Sequence, residues 1–333
     1  MKVIHVCATS TAKGSRVEAQ RQVVDSDVVA LSSMLPSGRL ICHLIKNKKS
    51  TYIFHEQYTL INLFFIYLLS ILFRKKNEFI YDIHDVLRKK PTVSFKAKLA
   101  FYPLMIIECW AIARIKILTV SRGLAEYYRI RSEKNIGVFY NLIPTDGALD
   151  GQKFPVYMSS RRAGNKAIYF GQIYESRITI SDIKSLSEQG LSVSLSGRFP
   201  ASASTEYQRN IIAEIEKSGG QFLGEYSPSN LNFLKDFDYS IMLFGEKSEN
   251  IVHCMPNKLF QSLSYGLTCL VSPHLIEIIS EFYDTGFVIT SEDDLTESKV
   301  KLFDTLSEKL ARMNKNNHLV FKKLINSRDA SLK

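Results

Sequence analysis

The sequence predicts a two-domain α/β protein in which each domain is a doubly wound parallel sheet. Three observations carry that reading. Short apolar runs of strand length alternate with longer segments of helical period. The chain has 333 residues, enough for two domains of about 100–200 residues each. The alternation breaks once, after Tyr140, where NLIPTDG opens a polar, basic stretch to Lys166 that reads as a linker.

In the first half, strands are expected at 3–7, 27–31, 40–45, 51–54, 79–83, 116–120 and 136–140, with helices after several of them. The run YTLINLFFIYLLSILF, Tyr58 to Phe73, is 16 residues long and closes on Arg74, Lys75 and Lys76. A membrane span needs about 20 residues, so this run reads as a helix buried between strands, with shallow insertion into a membrane as the alternative. Residues 88–114 mix Arg88, Lys89, Lys90, Lys96 and Lys98 with Phe95, Phe101 and Tyr102, a composition suited to a helix lying on an anionic surface. Ser121 is placed to cap the following helix.

In the second half, strands are expected at 167–170, 191–195, 221–223, 239–244, 268–271 and 287–289. The first three run into Gly171, Gly197 and Gly224, and glycine at a strand's carboxyl end lets a ligand approach the backbone. Thr205 to Lys217 reads as an amphipathic helix. Pro256 and Asn257 open another, with Leu259, Phe260 and Leu263 at helical spacing and Gly266 as its stop. Residues 274–282 read as a further helix. A helix start offers free N–H groups and the positive end of its dipole, and Lys258 adds a full charge, so the ligand expected there is an anion.

Composition narrows the class. Apolar residues make up 45% and charged residues 23%, as in a globular protein. The five cysteines contain no C-x-x-C pair, which argues for a reducing compartment and against zinc. The chain opens directly on an apolar strand, KVIHVC, with no secretory signal expected. The net charge is +10, and residues 1–150 hold 22 Lys and Arg against 12 Asp and Glu, while residues 151–333 hold 21 of each. A basic first half suits an anionic partner. Without a zinc-finger, helix-turn-helix or RNP pattern, a membrane surface is favoured over nucleic acid.

The run PNKLF, SYGLTCLVS, HLIEIISE and TGFVI resembles the donor-nucleotide segment of GT-B glycosyltransferases of the family-4 type. There the pattern is P-N-K-x-x-E, a small-residue helix, G-x-P-V and a Glu-rich turn before a G-x-x-V strand. The family's glutamate pair falls on or near His253 and on Gln261. YFGQIYESR resembles its G-R-x-x-x-x-K loop, so Gly171 matches and the diphosphate-binding pair falls on Gln172 and Arg177. SLSGRFP resembles its I-x-G-x-G-P loop at Gly197. YDIHDV resembles the H-D turn, at His84 and Asp85, and SRGLAEYY the V-S-x-x-L element at Ser121. The loop after the first strand, with Lys13, Gly14 and Arg16, resembles the glycine-bearing GT-B loop that reaches the acceptor or the diphosphate, which implies an acceptor loop here.

The resemblance spans most of residues 79–290. It implies a GT-B fold, two Rossmann-like doubly wound domains facing each other across a cleft. Residues 1–150 would bind the acceptor, 160–310 the nucleotide-sugar, and 311–333 would return to the first domain. It implies a transferase moving a sugar to a saccharide or lipid-linked saccharide in bacterial surface polysaccharide synthesis, with retention of configuration. His84, Asp85, Lys258 and Arg177 would be catalytic. Gly171, Gln172, Gly197, Pro256, Asn257 and Gln261 would bind the donor. No cofactor and no metal are expected, because no D-x-D metal motif is read and Lys258 and Arg177 stand where a cation would, and the protein is expected in the cytoplasm, peripheral at the inner face of the membrane. Two alternatives stay open: a GT-B nucleotide-sugar 2-epimerase, and a degenerate subunit supporting an active partner, suggested by Gln172, His253 and Gln261.

Overall fold

The computed structural model describes residues 2–9, 15–34, 37–47, 49–87, 95–132, 136–142, 164–227, 230–245, 247–291, 293 and 300–326. The chain forms two compact units, Met1–Ile143 with Met313–Lys333, and Pro144–Arg312. The linker expected before Lys166 lies largely outside the described residues.

The first unit contains β1 (Lys2–Ala8), α1 (Ser15–Val23), β2 (Ser26–Leu31), α2 (Gly38–Lys46), β3 (Ser50–His55), α3 (Leu60–Leu72), β4 (Glu78–Ile83), α4 (Phe95–Arg114), β5 (Lys116–Thr119), α5 (Arg122–Arg129) and β6 (Ile136–Val138). Its strands form one parallel sheet in the order β2-β1-β3-β4-β5-β6. The chain steps outward from β1 to β2 and returns on the other side at β3, which makes the carboxyl ends of β1 and β3 a topological switch point. Strand alternation sorts the side chains. Ile4, Val6, Tyr52, Phe54, Tyr81 and Ile83 face one core, shared with Leu40, Leu63 and Ala111 of the helices. Val3, Ile53 and Ile80 face the other, shared with Ala19 of α1 and with Phe321, Leu324 and Ile325.

The strand expected at 40–45 is corrected. LICHLI is the body of α2, because its fully buried residues are Leu40 and Leu44, one helical turn apart. The Ser121 cap is observed, its Oγ accepting from Leu124 N at 3.1 Å. The interior helix expected from Tyr58 to Phe73 is also corrected. α3 buries Leu60, Leu63 and Ile66 but exposes Phe65, Leu68, Ile71 and Leu72.

The second unit contains β7 (Lys166–Gln172), α6 (Ile180–Glu188), β8 (Ser192–Arg198), α7 (Thr205–Lys217), β9 (Tyr239–Met242), α8 (Glu249–Val252), α9 (Asn257–Ser264), β10 (Thr268–Val271), α10 (Ile276–Phe282) and β11 (Val288–Thr290). The parallel sheet runs β11-β10-β9-β7-β8, with its switch point between β7 and β9. The strand expected at 221–223 shrinks to a single bridge, Leu195 to Phe222. The last helix, α11 (Phe303–Asn326), belongs to the second unit up to Arg312 and to the first from Met313. In the first unit Asn317 accepts from Tyr140 N at 2.8 Å and donates to Tyr140 O at 2.9 Å, and Lys116 Nζ donates to Leu324 O at 2.9 Å.

Candidate active site

Each sheet gathers polar groups at its carboxyl edge, and the two sets are built differently. In the first unit, His5, His55 and Asp82 each lie two residues beyond Val3, Ile53 and Ile80, so the same pleat carries them to one face. Helix α1 covers that face, and Arg16 and Gln20, one turn apart, reach Asp82. Arg16 Nε donates to Asp82 Oδ2 at 2.9 Å and Nη2 to Oδ1 at 2.5 Å, and Gln20 Nε2 adds a bond at 2.7 Å. The guanidinium also donates to the Phe139 and Thr119 carbonyls and to Asn141 Oδ1. Arg16 is therefore an interior residue of α1, 5% exposed, and its place in an acceptor loop is corrected: its five donors are aimed inward. Lys13 and Gly14 lie outside the described residues.

A chain of imidazoles continues from Asp82. His55 Nδ1 stands 3.0 Å from Asp82 Oδ2, and His55 Nε2 meets His5 Nδ1 at 2.9 Å. His84, just past β4, places Nε2 at 3.4 Å from Asp82 Oδ2 and Nδ1 at 3.3 Å from Glu56 Oε1. Burial opposes charge on His84, yet the Asp82 carboxylate and the bonds to Asp82 and Glu56 raise its pKa above the ordinary histidine value. Burial lowers His55, and burial followed by His55 lowers His5 well below that value. Asp82 is fully buried, and although burial opposes its charge, Arg16 and His84 hold it well below the carboxylate range. His84 at the sheet edge is thus shifted toward its charged form, while His55 and His5 behind it are shifted toward the neutral one. Asp85, beside it, is exposed, and its carbonyl accepts from Gln57 Nε2 at 3.1 Å.

His55, Asp82 and His84 bring donor atoms within 4.8 Å of one another, a spacing that also suits a metal ion. Here both Asp82 oxygens already hold the Arg16 guanidinium, which marks an ion-paired network. The expected absence of a D-x-D motif is corrected: the sequence holds Asp25-Ser26-Asp27 and Asp236-Phe237-Asp238, which lie at the amino ends of β2 and β9, opposite the candidate edges. Asp27 is 2.6 Å from Lys2 Nζ, and Asp238 accepts from Lys166 N at 3.1 Å.

In the second unit, Gly171 and Gly197 pair across β7 and β8 with φ of 125° and 146°. A Cβ on Gly197 would sit 1.7 Å from the Gly171 carbonyl oxygen, so that strand contact requires glycine. Above Gly171 nothing lies within 4 Å of where a Cβ would be. Lys258, second residue of α9, points its Nζ over the Tyr169 ring at 4.3 Å and the Phe244 ring at 5.0 Å. Its Nζ is buried with no hydrogen-bond partner among the described residues. Arg177, exposed on the turn after β7, brings its guanidinium 5.9 Å from the Phe244 centroid and 5.5 Å from Tyr174. Burial, then the nearby Arg177 charge, pull the Lys258 pKa down to about 7. No carboxylate pairs with either cation among the described residues.

Around this pair, Gln172 is exposed at the end of β7, Pro256 is the N-cap of α9 and Asn257 its first residue. Gln261 lies one turn further along α9, and His253 ends α8 with its Nε2 3.5 Å from Glu249. Tyr169 and Phe244, the aromatic floor under Lys258, escape sequence reading because each is an ordinary strand residue in its own segment. Glu56, with φ of 63°, and the Asp82 network escape it too. The signal for the network was a charged residue at an inward strand position, Asp82 within an otherwise apolar run.

Neither a family model nor a curated protein matches the sequence. Solved structures do. An E. coli structure described as trehalose-6-phosphate bound with UDP-2-fluoro glucose aligns at TM-score 0.58 and 7% identity, over 98% of this chain and 99% of that one. AviGT4, a glycosyltransferase involved in avilamycin A biosynthesis, aligns at TM-score 0.54 and 11% identity, over 98% of each chain. The fold is GT-B. The lipopolysaccharide outer core galactosyltransferase WaaB, in its apo form, aligns at TM-score 0.51 and 13% identity, over 100% of this chain and 96% of that one. At these identities the likeness establishes the GT-B fold, with its two parallel-sheet α/β units.

Proposed function

We propose that this GT-B protein is a glycosyltransferase that moves a sugar from a nucleotide-sugar donor to a saccharide or lipid-linked saccharide acceptor. The observation that carries the reading is the uncompensated cation pair, Lys258 and Arg177, gathered at Phe244 on the carboxyl edge of the second sheet. Cleaving the bond between the anomeric carbon and the donor's phosphate oxygen leaves a nucleoside diphosphate with new negative charge. Preorganised cations and N–H donors aimed at that charge lower the barrier. Lys258, Arg177 and the N–H groups at the start of α9 supply them, and Gly171 leaves the room. Gln172, Gly197, Pro256, Asn257 and Gln261 complete the donor site, with Gln261 offering its amide to a donor hydroxyl. His84, set between Asp82 and Glu56, offers a hydrogen bond to the sugar or acceptor, and Asp85 stands next to it.

The donor's sugar is of hexose type, the reaction is retaining and needs no metal, and the acceptor belongs to bacterial surface polysaccharide synthesis. Lys13 and Gly14 stay proposed for the acceptor side, and the protein works at the cytoplasmic face of the membrane, attached peripherally. The similar structures, one with a bound UDP-sugar and one an outer core galactosyltransferase, support this reading. Titration with a panel of nucleoside diphosphates, followed by assay of sugar-nucleotide hydrolysis and transfer in EDTA, tests it. Saturable binding that depends on Lys258, with turnover kept in EDTA, is expected. A folded protein that binds no nucleoside diphosphate, or conversion of a nucleotide-sugar to its 2-epimer, would overturn it.

A further inference from the structure

Helices α3 and α4 pack side by side over the first sheet. Leu60, Leu63 and Ile66 of α3 and Ala111 and Ile112 of α4 are buried in its core. Trp110 joins the helices, its ring 5.1 Å from Phe64 and 4.8 Å from Tyr67. With one face of each helix buried, the other is ordinarily polar. Here it is apolar. Phe65, Leu68 and Leu72 form a stripe on α3 at spacings of three and four, with Leu72 exposed to 72%. Tyr102, Met105 and Ile106 form the counterpart on α4, with Ile106 exposed to 69%. Scattered exposed apolar residues need no explanation, but two adjacent stripes are an interaction surface.

Charge decides the occupant. Arg74 and Lys76, directly after α3, and Arg114, at the end of α4, are exposed. α3 has no acidic residue, and the one in α4, Glu108, is buried and accepts from the Tyr81 hydroxyl at 3.2 Å. The face is therefore apolar with a cationic rim and no exposed carboxylate on either helix. A second copy docked by two-fold symmetry would present the same face, which offers those cations no exposed carboxylate from either helix. An anionic bilayer offers an apolar interior beneath a layer of phosphates. No helix among the described residues is long and apolar enough to cross a membrane. The 13 residues of α3 reach about 20 Å, short of the roughly 30 Å hydrocarbon core, so contact is shallow.

We propose that the α3–α4 face is a lipid-docking surface, in which Phe65, Leu68, Leu72 and Ile106 enter the boundary of an anionic bilayer while Arg74 and Lys76 stay with its phosphates. It is a different surface from the 88–98 cluster suggested by the sequence: Arg88, Lys89 and Lys90 lie outside the described residues, as do the side chains of Phe95, Lys96, Lys98 and Phe101. The inference rests on the peripheral attachment proposed above and not on the reaction catalysed.

Flotation of the full-length protein tests it, with vesicles of phosphatidylcholine alone and of phosphatidylcholine mixed with phosphatidylglycerol. The wild type is expected to float with the mixed vesicles, more weakly as salt rises, and poorly with the neutral ones. Leu72→Glu with Ile106→Glu should lower vesicle affinity more than about tenfold. Arg74→Gln with Lys76→Gln should lower it by roughly tenfold or more, at about 1 kcal/mol per charge. Because all four side chains are exposed, circular dichroism and nucleoside diphosphate binding should match wild type in both variants. Three results would overturn the proposal: no flotation of wild type with either vesicle, undiminished flotation of the apolar variant, or a dimer in solution that Leu72→Glu with Ile106→Glu turns into monomer while vesicles go unbound.

Discussion

The two sheet edges solve the same electrostatic problem in opposite ways. In the first unit a buried carboxylate, Asp82, is matched by Arg16, and His84 is held between Asp82 and Glu56, so each charge has its counter-charge within the protein. In the second, Lys258 and Arg177 converge on one aromatic ring with no acidic partner among the described residues, and Lys258 responds by losing its hold on its proton. A compensated buried charge is stable without ligand and fixes geometry. An uncompensated one costs stability in the free protein and gains most when an anion arrives.

The largest expected effect breaks the compensated side. Asp82→Ala leaves Arg16 buried and unpaired, which should cost about 3–5 kcal/mol of stability in denaturant titration. If Asp82→Ala is as stable as wild type, the network is not the frame of the first unit. Next, Lys258→Ala should slow turnover on the order of 100-fold, roughly 3 kcal/mol, while stability holds or rises because a buried cation is removed. A large loss of stability with kcat intact would make Lys258 a structural residue and collapse the contrast.

The third prediction sharpens the comparison through pH. Free Lys258 titrates near 7, but an anionic ligand needs it charged, so binding above that pH draws in a proton. Nucleoside diphosphate affinity should weaken about tenfold per pH unit from roughly pH 7 upward, and Lys258→Arg should flatten that slope. Calorimetry in buffers of different ionisation enthalpy reads the proton directly. Absence of proton uptake at about pH 8 would show that the amine stays charged without ligand.

The smallest effect concerns the imidazoles. His5 and His55 have folded pKa values below their unfolded ones, so the stability they contribute is present above about pH 6.5 and is lost as pH falls, by up to roughly 1.4 kcal/mol per pH unit for each proton. His84 runs the other way: its raised pKa contributes stability at low pH that is lost as pH rises through the folded value, which partly offsets the pair. His5→Asn should therefore flatten the fall in melting temperature between about pH 7 and 5. An unchanged slope would mean that His5 is not neutral in the fold.

Legibility followed the range of the interactions. The capping of α5 by Ser121, the strand-to-glycine edges at Gly171 and Gly197 and the helix opening at Asn257 depend on neighbours within a few residues, and all could be read directly. LICHLI was misread as a strand because a six-residue apolar run fits both periods, and only the shared burial of Leu40 and Leu44 separates them. YTLINLFFIYLLSILF read as interior because composition measures apolarity and not which side of a helix has a partner. Arg16 looked like a loop cation because its partners, Asp82, Thr119 and Phe139, are 66 to 123 residues away.

By itself, the sequence determined the α/β class, the two parallel sheets and the places where backbone and charge invite an anion, since strand alternation, helix caps and glycine positions are local properties of the chain. The tertiary structure alone decided which charges are neutralised. Coulomb energy depends on distance and burial, and nothing in the sequence separates Arg16, clamped on Asp82, from Arg177 and Lys258, left without a counter-charge at the edge of the second sheet.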